Sequence, residues 1–153
     1  MSEILFICTG NYYRSRFAEA VFNHHALRAH LGWRAFSRGL AIELAPQDSS
    51  ISPHTVDALQ RRSIPLASTA ARPQALVEAD LKRATRIVAL KEAEHRPMIA
   101  VRFPGWETRV EFWHISDIDQ TEPIEAVDVI ESRVRSLVSE LDGSAPPAAP
   151  HRS

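Results

Sequence analysis

The chain has 153 residues, of which 44% are hydrophobic and 24% are charged, and its formal net charge is -1. These values are ordinary for one soluble globular domain, and the nearly neutral charge argues against bulk electrostatic binding to nucleic acid. No apolar run approaches the roughly 18 residues of a membrane span and the first residues lack a signal-peptide pattern, so we expect a cytoplasmic protein without a membrane partner.

Patterns of strand and helix alternate along the chain. The continuous apolar run before Cys8 is typical of a buried parallel strand, and Ser52-Pro53 has the residues of a helix cap and first turn. Pro97 indicates a break in the helix that contains it. In chain order the predicted elements are a strand over Glu3–Cys8, a helix from Ser15, a strand over Trp33–Ser37, a helix from Ser52, a helix over Pro73–Ala84, a strand over Arg86–Leu90, a helix over Glu92–Ala100, a strand over Arg109–Ile115 and a helix over Ile124–Leu141.

This order predicts an α/β fold: a four-stranded parallel sheet joined by right-handed crossovers and flanked by helices on both faces. Residues 1–141 form the predicted domain, and residues 142–153, rich in proline and alanine, form a predicted disordered tail. Ligands of such sheets bind beyond the carboxyl ends of the strands. The loop after Cys8 and the polar loop over Ser116–Pro123 are therefore expected at the same edge.

The loop after the first strand carries the predicted chemistry. Its sequence is Cys8-Thr9-Gly10-Asn11-Tyr12-Tyr13-Arg14-Ser15. Backbone N–H groups of a tight loop before a helix converge on an anion, and Arg14 can donate two parallel hydrogen bonds to phosphate oxygens. The same positive field favours the thiolate of Cys8, the reactive form of cysteine. The alternative is a buried cysteine at a strand end with a solvated arginine, but the strand-to-helix position and the following Ser15 favour a phosphate-binding loop.

The segment I-L-F-I-C-T-G-N-Y-Y-R-S resembles the signature of the low-molecular-weight protein tyrosine phosphatases. The resemblance extends to about Leu141 and includes Ser37-Arg38-Gly39, the Ser52-Pro53 helix start and R-I-V-A-L-K-E. It implies two-step hydrolysis through a cysteinyl-phosphate on Cys8, with no metal or other cofactor. It also implies a monomer that acts on a phosphorylated protein or a small aryl phosphate, and inhibition by phosphate or vanadate in the loop.

The resemblance also implies a general acid after the fourth strand, where the family has Asp-Pro. Counted from Trp113, Asp117 matches the family aspartate, but Ile118 replaces the proline. Asp119 is therefore the alternative acid. Both aspartates could instead be ordinary polar loop residues.

Several further positions support or depart from the family pattern. The resemblance implies that Asn11, Ser15 and Ser37 shape the loop and stabilise the thiolate, whereas Thr69 stands where a histidine often joins them. Arg16 replaces the usual proline and is expected to add positive charge near the site. At Tyr13 many members have a second cysteine, and at Tyr12 members that prefer phosphoarginine have a small threonine, so a bulky Tyr12 favours aryl phosphate or a partly obstructed pocket.

Two other functions stay open on the sequence. A non-enzymatic phosphate-binding module is compatible with the missing prolines and the paired tyrosines, although Cys8, Arg14 and an aspartate favour an enzyme. An arsenate reductase shares the fold and the loop, but its thiol cascade needs more cysteines than this chain has.

Overall fold

The computed structural model describes residues 2–70, 72–115 and 123–143. The elements in chain order are β1 (Ser2–Cys8), α1 (Arg14–Arg28), β2 (Trp33–Gly39), α2 (Pro53–Arg61), α3 (Glu78–Arg83), β3 (Arg86–Ala89), α4 (Glu92–Arg102), β4 (Glu111–Phe112) and α5 (Pro123–Leu141). Short 3-10 turns lie at Ile42–Leu44, Leu66–Ser68 and Trp106–Arg109. Among the described helices, none combines the length and apolarity that crossing a membrane requires.

The strands form one four-stranded parallel sheet in the order β2-β1-β3-β4. The predicted α/β fold is confirmed. β1 lies in the interior of the sheet, and Cys8 at its carboxyl end is paired with Gly39 at the end of β2. The segment after each strand therefore starts at the same edge of the sheet, which is where the loop after Cys8 lies.

The two faces of β1 account for its unbroken apolar sequence. Ile4 and Phe6 belong to a core cluster with residues of α1 and α5, whereas Leu5 and Ile7 belong to a second cluster with residues of β3, α3 and α4. All four side chains are fully buried. A strand covered on both faces has no solvent side, so the alternation of polar and apolar residues is lost.

The predicted helix over Pro73–Ala84 is wrong in its first half. Helix α3 covers only Glu78–Arg83, because the preceding segment pairs with the end of β2: Gly39 N–H donates to Gln74 O at 2.8 Å and Leu76 N–H donates to Gly39 O at 2.9 Å. The Asp80 side chain accepts from Val77 N–H at 3.1 Å and caps the short helix. Tertiary backbone pairing has overridden a helical pattern.

The fourth strand and the helix before it also differ from prediction. β4 contains two residues, since the Trp106–Arg109 turn takes up the start of the predicted Arg109–Ile115 strand. Pairing with β3 continues beyond β4, because Trp113 N–H donates to Ala89 O at 2.9 Å. Helix α4 runs through Pro97 without the predicted break; proline removes one N–H donor, and the surrounding turns remain helical.

Candidate active site

The predicted phosphate loop lies between β1 and α1 and is shaped by unusual backbone geometry. Asn11 adopts a left-handed conformation with φ of 51°, which asparagine tolerates better than most residues. Gly39 of β2 lies directly against the loop: a Cβ atom there would be 2.9 Å from both Asn11 N and Thr9 O. Glycine at the end of β2 is thus required for the close approach of the loop.

Cys8 ends β1 beneath this loop and is 2% exposed. Its sulfur lies 2.9 Å from Ser15 Oγ in the first turn of α1. Asn11 Nδ2 donates to Ser15 Oγ and to Ser37 Oγ, both at 2.9 Å. The structure therefore brings together Cys8, the predicted nucleophile, and all three residues expected to support it.

A buried acidic residue extends this group of polar side chains. Glu19 of α1 accepts hydrogen bonds from Ser37 Oγ at 2.6 Å and Thr69 Oγ1 at 2.7 Å. Burial raises the pKa of Glu19, against the hydrogen bonds from the two hydroxyl groups and the charges of Arg16 and Arg38. Sequence reasoning missed Glu19; its signal was a charged residue on the apolar face of α1, one turn after Ser15.

Arg16, which was expected to add positive charge near the site, is buried behind the loop. It is 1% exposed and donates to Thr69 Oγ1 at 2.8 Å, Asn11 O at 3.2 Å and Ser50 O at 3.0 Å. It also donates to Ala70 O. The guanidinium group thus joins the phosphate loop to the segments around residues 50 and 70.

Arg14, the predicted phosphate clamp, begins α1 and is 7% exposed. Its NH1 donates to Ile115 O at 3.5 Å, and its NH2 lies 3.4 Å from Glu94 Oε2. Glu94 and Ile115 follow β3 and β4, respectively. The carboxyl edge of the sheet therefore brings Arg14, which follows β1, together with one group that follows β3 and one that follows β4.

Glu94 is the second acidic residue that the sequence did not reveal. Its carboxylate accepts from Thr9 Oγ1 and lies 3.5 Å from Nε2 of His95. Lys91 N–H donates to His95 Nδ1 at 3.0 Å, which leaves Nε2 as the donor of a neutral imidazole. Hydrogen bonding by His95 and Thr9, together with Arg14, holds the pKa of Glu94 well below its usual range. Glu94 is therefore ionised at neutral pH and cannot donate a proton as general acid.

The two tyrosines have different positions. Tyr13 is 7% exposed in the core cluster, lies edge-on to His54 of α2, and burial raises its pKa to about 12. Tyr13 is therefore a packing residue of the core. Tyr12 is only half-buried and lies next to Gly10 in the loop.

Asp117 and Asp119 lie outside the described residues, so the choice of acid stays a prediction. The described residues 2–70, 72–115 and 123–143 contain no cluster of histidine, cysteine, aspartate and glutamate able to hold a metal ion. A buried cysteine at a strand end, an arginine at the first position of the helix and a buried hydroxyl network are the arrangement expected of an anion-binding loop of the cysteine-based phosphatase type.

The comparisons with known proteins agree with this site. The family model "Low molecular weight phosphotyrosine protein phosphatase" matches residues 3–145, and the chain belongs to this family. A curated relative, the protein-arginine-phosphatase of Bacillus subtilis, is 32% identical over 71% of this chain and 67% of its own length.

Solved structures show the same fold. The YwlE mutant from Bacillus subtilis is 26% identical, with a TM-score of 0.76 over 92% of this chain and 99% of that chain. A thioredoxin-dependent arsenate reductase from Corynebacterium glutamicum is 21% identical, with a TM-score of 0.69 over 94% of this chain and 63% of that chain. At 21% identity, the similarity to the arsenate reductase shows a shared fold and nothing more.

Proposed function

We propose that the protein hydrolyses aryl phosphates of the phosphotyrosine type through a cysteinyl-phosphate on Cys8. The observation that carries the proposal is the placement of the Cys8 sulfur 2.9 Å from Ser15 Oγ, under a loop that ends at Arg14. A hydroxyl donor next to the sulfur stabilises a thiolate. The membership of the phosphatase family supports the same reaction.

The reaction has two steps. The Cys8 thiolate attacks phosphorus, the bond between phosphorus and the leaving oxygen breaks, and Asp117 donates a proton to that oxygen. Water then attacks the cysteinyl-phosphate and gives a proton to the same aspartate, which releases inorganic phosphate and restores the thiolate. Arg14 and the loop N–H groups hold the phosphoryl oxygens in both steps. A mutant of the YwlE arginine phosphatase with a phosphorylated active-site serine in place of cysteine supports covalent phosphoryl transfer as the first step.

The aryl preference depends on Tyr12. Tyr12 is a half-buried residue of the phosphate loop, and its aromatic ring would give a phenyl leaving group a flat apolar contact. Family members that prefer phosphoarginine have a small threonine in this position. The curated relative is named for protein arginine, so the two substrate classes are the alternatives to distinguish. We expect Tyr12→Thr to lower kcat/KM for p-nitrophenyl phosphate and to raise it for phosphoarginine peptides.

Turnover of p-nitrophenyl phosphate in the presence of chelator tests whether the protein is a phosphatase. We expect wild type to be active, Cys8→Ser to be inactive, and Asp117→Ala to lose about 10²–10⁴-fold, with Asp119→Ala near wild type. A loss confined to Asp119→Ala would transfer the acid role to that residue. Vanadate binding without turnover would favour the phosphate-binding module instead.

Arsenate reduction is the other reaction of this fold. With Cys8 as its only cysteine, the chain would need an external thiol for each exchange step. We therefore expect no arsenate reduction without added thiol under conditions where p-nitrophenyl phosphate is hydrolysed.

A further inference from the structure

The carboxylate of Glu94 borders the candidate phosphate site. Its Oε2 atom lies 3.4 Å from NH2 of Arg14 and accepts a hydrogen bond from Thr9 Oγ1 in the phosphate loop. The Glu94 side chain is 26% exposed, whereas the Arg14 side chain is 9% exposed. Glu94 is thus the more exposed partner of this ion pair, and a phosphoryl group that reached Arg14 from solvent would lie next to the carboxylate.

Two neutral donors hold the Glu94 carboxylate in this position without the help of Arg14. One is the hydroxyl group of Thr9. The other is the Nε2–H group of His95, which lies 3.2 Å from Thr9 Oγ1 and 3.5 Å from Glu94 Oε2. His95 is fully buried, and its Nδ1 accepts from Lys91 N–H at 3.0 Å. The carboxylate would therefore stay beside the phosphate loop if Arg14 turned its donors to another anion.

A phosphate bound by Arg14 would change the charge balance around Glu94. The guanidinium group would then face the phosphoryl oxygens as well as the carboxylate, and the two anions would lie side by side. Arg14 is the arginine whose charge helps to lower the pKa of Glu94. Arg96, the next arginine of α4, is already paired with Glu92 at 2.7 Å. Phosphate binding therefore leaves the Glu94 carboxylate short of positive charge.

We infer that Glu94 is a specificity-determining residue that receives a lysine or arginine side chain next to the phosphorylated residue of a polypeptide substrate. Within the proposed phosphatase reaction, on which this inference rests, the phosphoryl group takes the donors of Arg14. The substrate cation then replaces Arg14 as the partner of Glu94. A substrate with an acidic residue in the same place would add a like charge beside the carboxylate and is disfavoured.

Phosphotyrosine peptides that differ in one neighbouring residue test this preference. Lysine, glutamine or glutamate is placed directly before or directly after the phosphotyrosine, and phosphate release gives kcat/KM for each peptide. We expect wild type to prefer lysine to glutamine about two- to fivefold in at least one of the two positions, as for a partly exposed ion pair. The glutamate peptide should be the poorest substrate. High salt should weaken the preference, because it screens exposed charges.

Two variants locate the preference on the molecule. Glu94→Gln removes the charge and keeps the shape, so its kcat/KM values for the three peptides should agree within about twofold. Its kcat/KM for p-nitrophenyl phosphate, which carries no cation, should not fall. Asp57→Asn is the matched control, because it removes one negative charge from an exposed pair with Arg61 on α2. The control should keep the wild-type order of peptides.

The outcomes separate this inference from the proposed function. Wild type that hydrolyses p-nitrophenyl phosphate but treats the lysine and glutamate peptides alike would overturn the inference and leave the phosphatase activity in place. A lysine preference that persists unchanged in Glu94→Gln, or that is lost equally in Asp57→Asn, would also overturn it. Absence of p-nitrophenyl phosphate turnover by wild type would instead contradict the proposed function.

Discussion

The phosphate loop lies between two polar networks that differ in exposure. The Glu19 network comprises Asn11, Ser15, Arg16, Glu19, Ser37 and Thr69, and all its members except Thr69 are buried. The Glu94 network comprises Thr9, Arg14, Glu94 and His95, and its carboxylate side chain is 26% exposed.

The difference separates two tasks. Contacts in the Glu19 network are made before any substrate arrives and are largely shielded from solvent, so they can hold Cys8, the proposed nucleophile, in one state. Contacts in the Glu94 network include Arg14, the proposed phosphate clamp, so a bound phosphate would compete with Glu94 for the donors of its guanidinium group. We therefore expect variants of the Glu19 network to change kcat and variants of the Glu94 network to change phosphate affinity.

Arg14→Lys should have the largest effect of the variants that test this comparison. Lysine retains the charge but lacks the planar pair of donors, so we expect kcat/KM for p-nitrophenyl phosphate to fall about 10²–10³-fold, as for loss of a transition-state donor. Arg61→Lys is the control, since Arg61 forms an exposed helix-surface pair with Asp57. Equal activity of the two variants would remove Arg14 from the phosphate site.

Ser15→Ala tests the other network and should have the next largest effect. The variant removes the hydroxyl donor to Cys8, and loss of a hydrogen bond to a charged group is expected to lower kcat about 10–100-fold. KM should change little, because the hydroxyl faces the sulfur from the interior. Thr108→Ala, which removes an exposed hydroxyl bonded to Gly105 O, should match wild type. A change in KM alone would assign Ser15 to substrate binding.

Glu94→Gln should act on affinity with a smaller magnitude. The carboxylate pairs with Arg14 and repels a phosphate dianion, so its removal should lower the inhibition constant of inorganic phosphate about 2–5-fold, in line with a partly exposed ion pair. kcat should remain within about twofold of wild type. Weaker inhibition by phosphate in this variant would show that Glu94 assists Arg14 instead of competing for it.

The same substitution gives a pH-dependent stability effect, the smallest expected. The pKa of Glu94 is lowered in the folded protein, so its contribution to stability is present above the unfolded pKa of about 4.3 and is lost as the pH falls through the lower folded value. Wild type should exceed Glu94→Gln in free energy of unfolding by an amount of order 1 kcal/mol at neutral pH. Urea unfolding of both proteins from neutral to acidic pH measures this difference in free energy of unfolding. We expect the difference to shrink as the pH falls, and a difference that grows on acidification would contradict the lowered pKa of Glu94.

The features that could be predicted from the sequence are those whose structure is determined by a few adjacent residues. The strand before Cys8, the loop to Arg14 and the cap at Ser52 are each read from a few adjacent residues, and Ser52 Oγ accepts from His54 N–H as expected. Long-range contacts decided the rest. The segment before α3 is extended because it pairs with Gly39, and Arg16 is buried because carbonyl groups near residues 50 and 70 surround it.

Glu94 shows the same limit at the site itself. Its position on α4 reveals nothing about Arg14, which is 80 residues away in sequence. Because parallel strands have their carboxyl ends at the same edge of a sheet, the predicted sheet indicated the edge where the candidate site lies. Which side chains meet there depends on the lengths and angles of the segments that follow.

The most direct test of the central claim is mass spectrometry of acid-quenched protein during p-nitrophenyl phosphate turnover. The proposed mechanism predicts one phosphoryl group on the peptide that contains Cys8, in greater amount for Asp117→Ala if the same aspartate activates water in the second step. Arg61→Lys should give the wild-type amount. Turnover with no phosphorylated Cys8 peptide in either protein would contradict covalent catalysis by this cysteine.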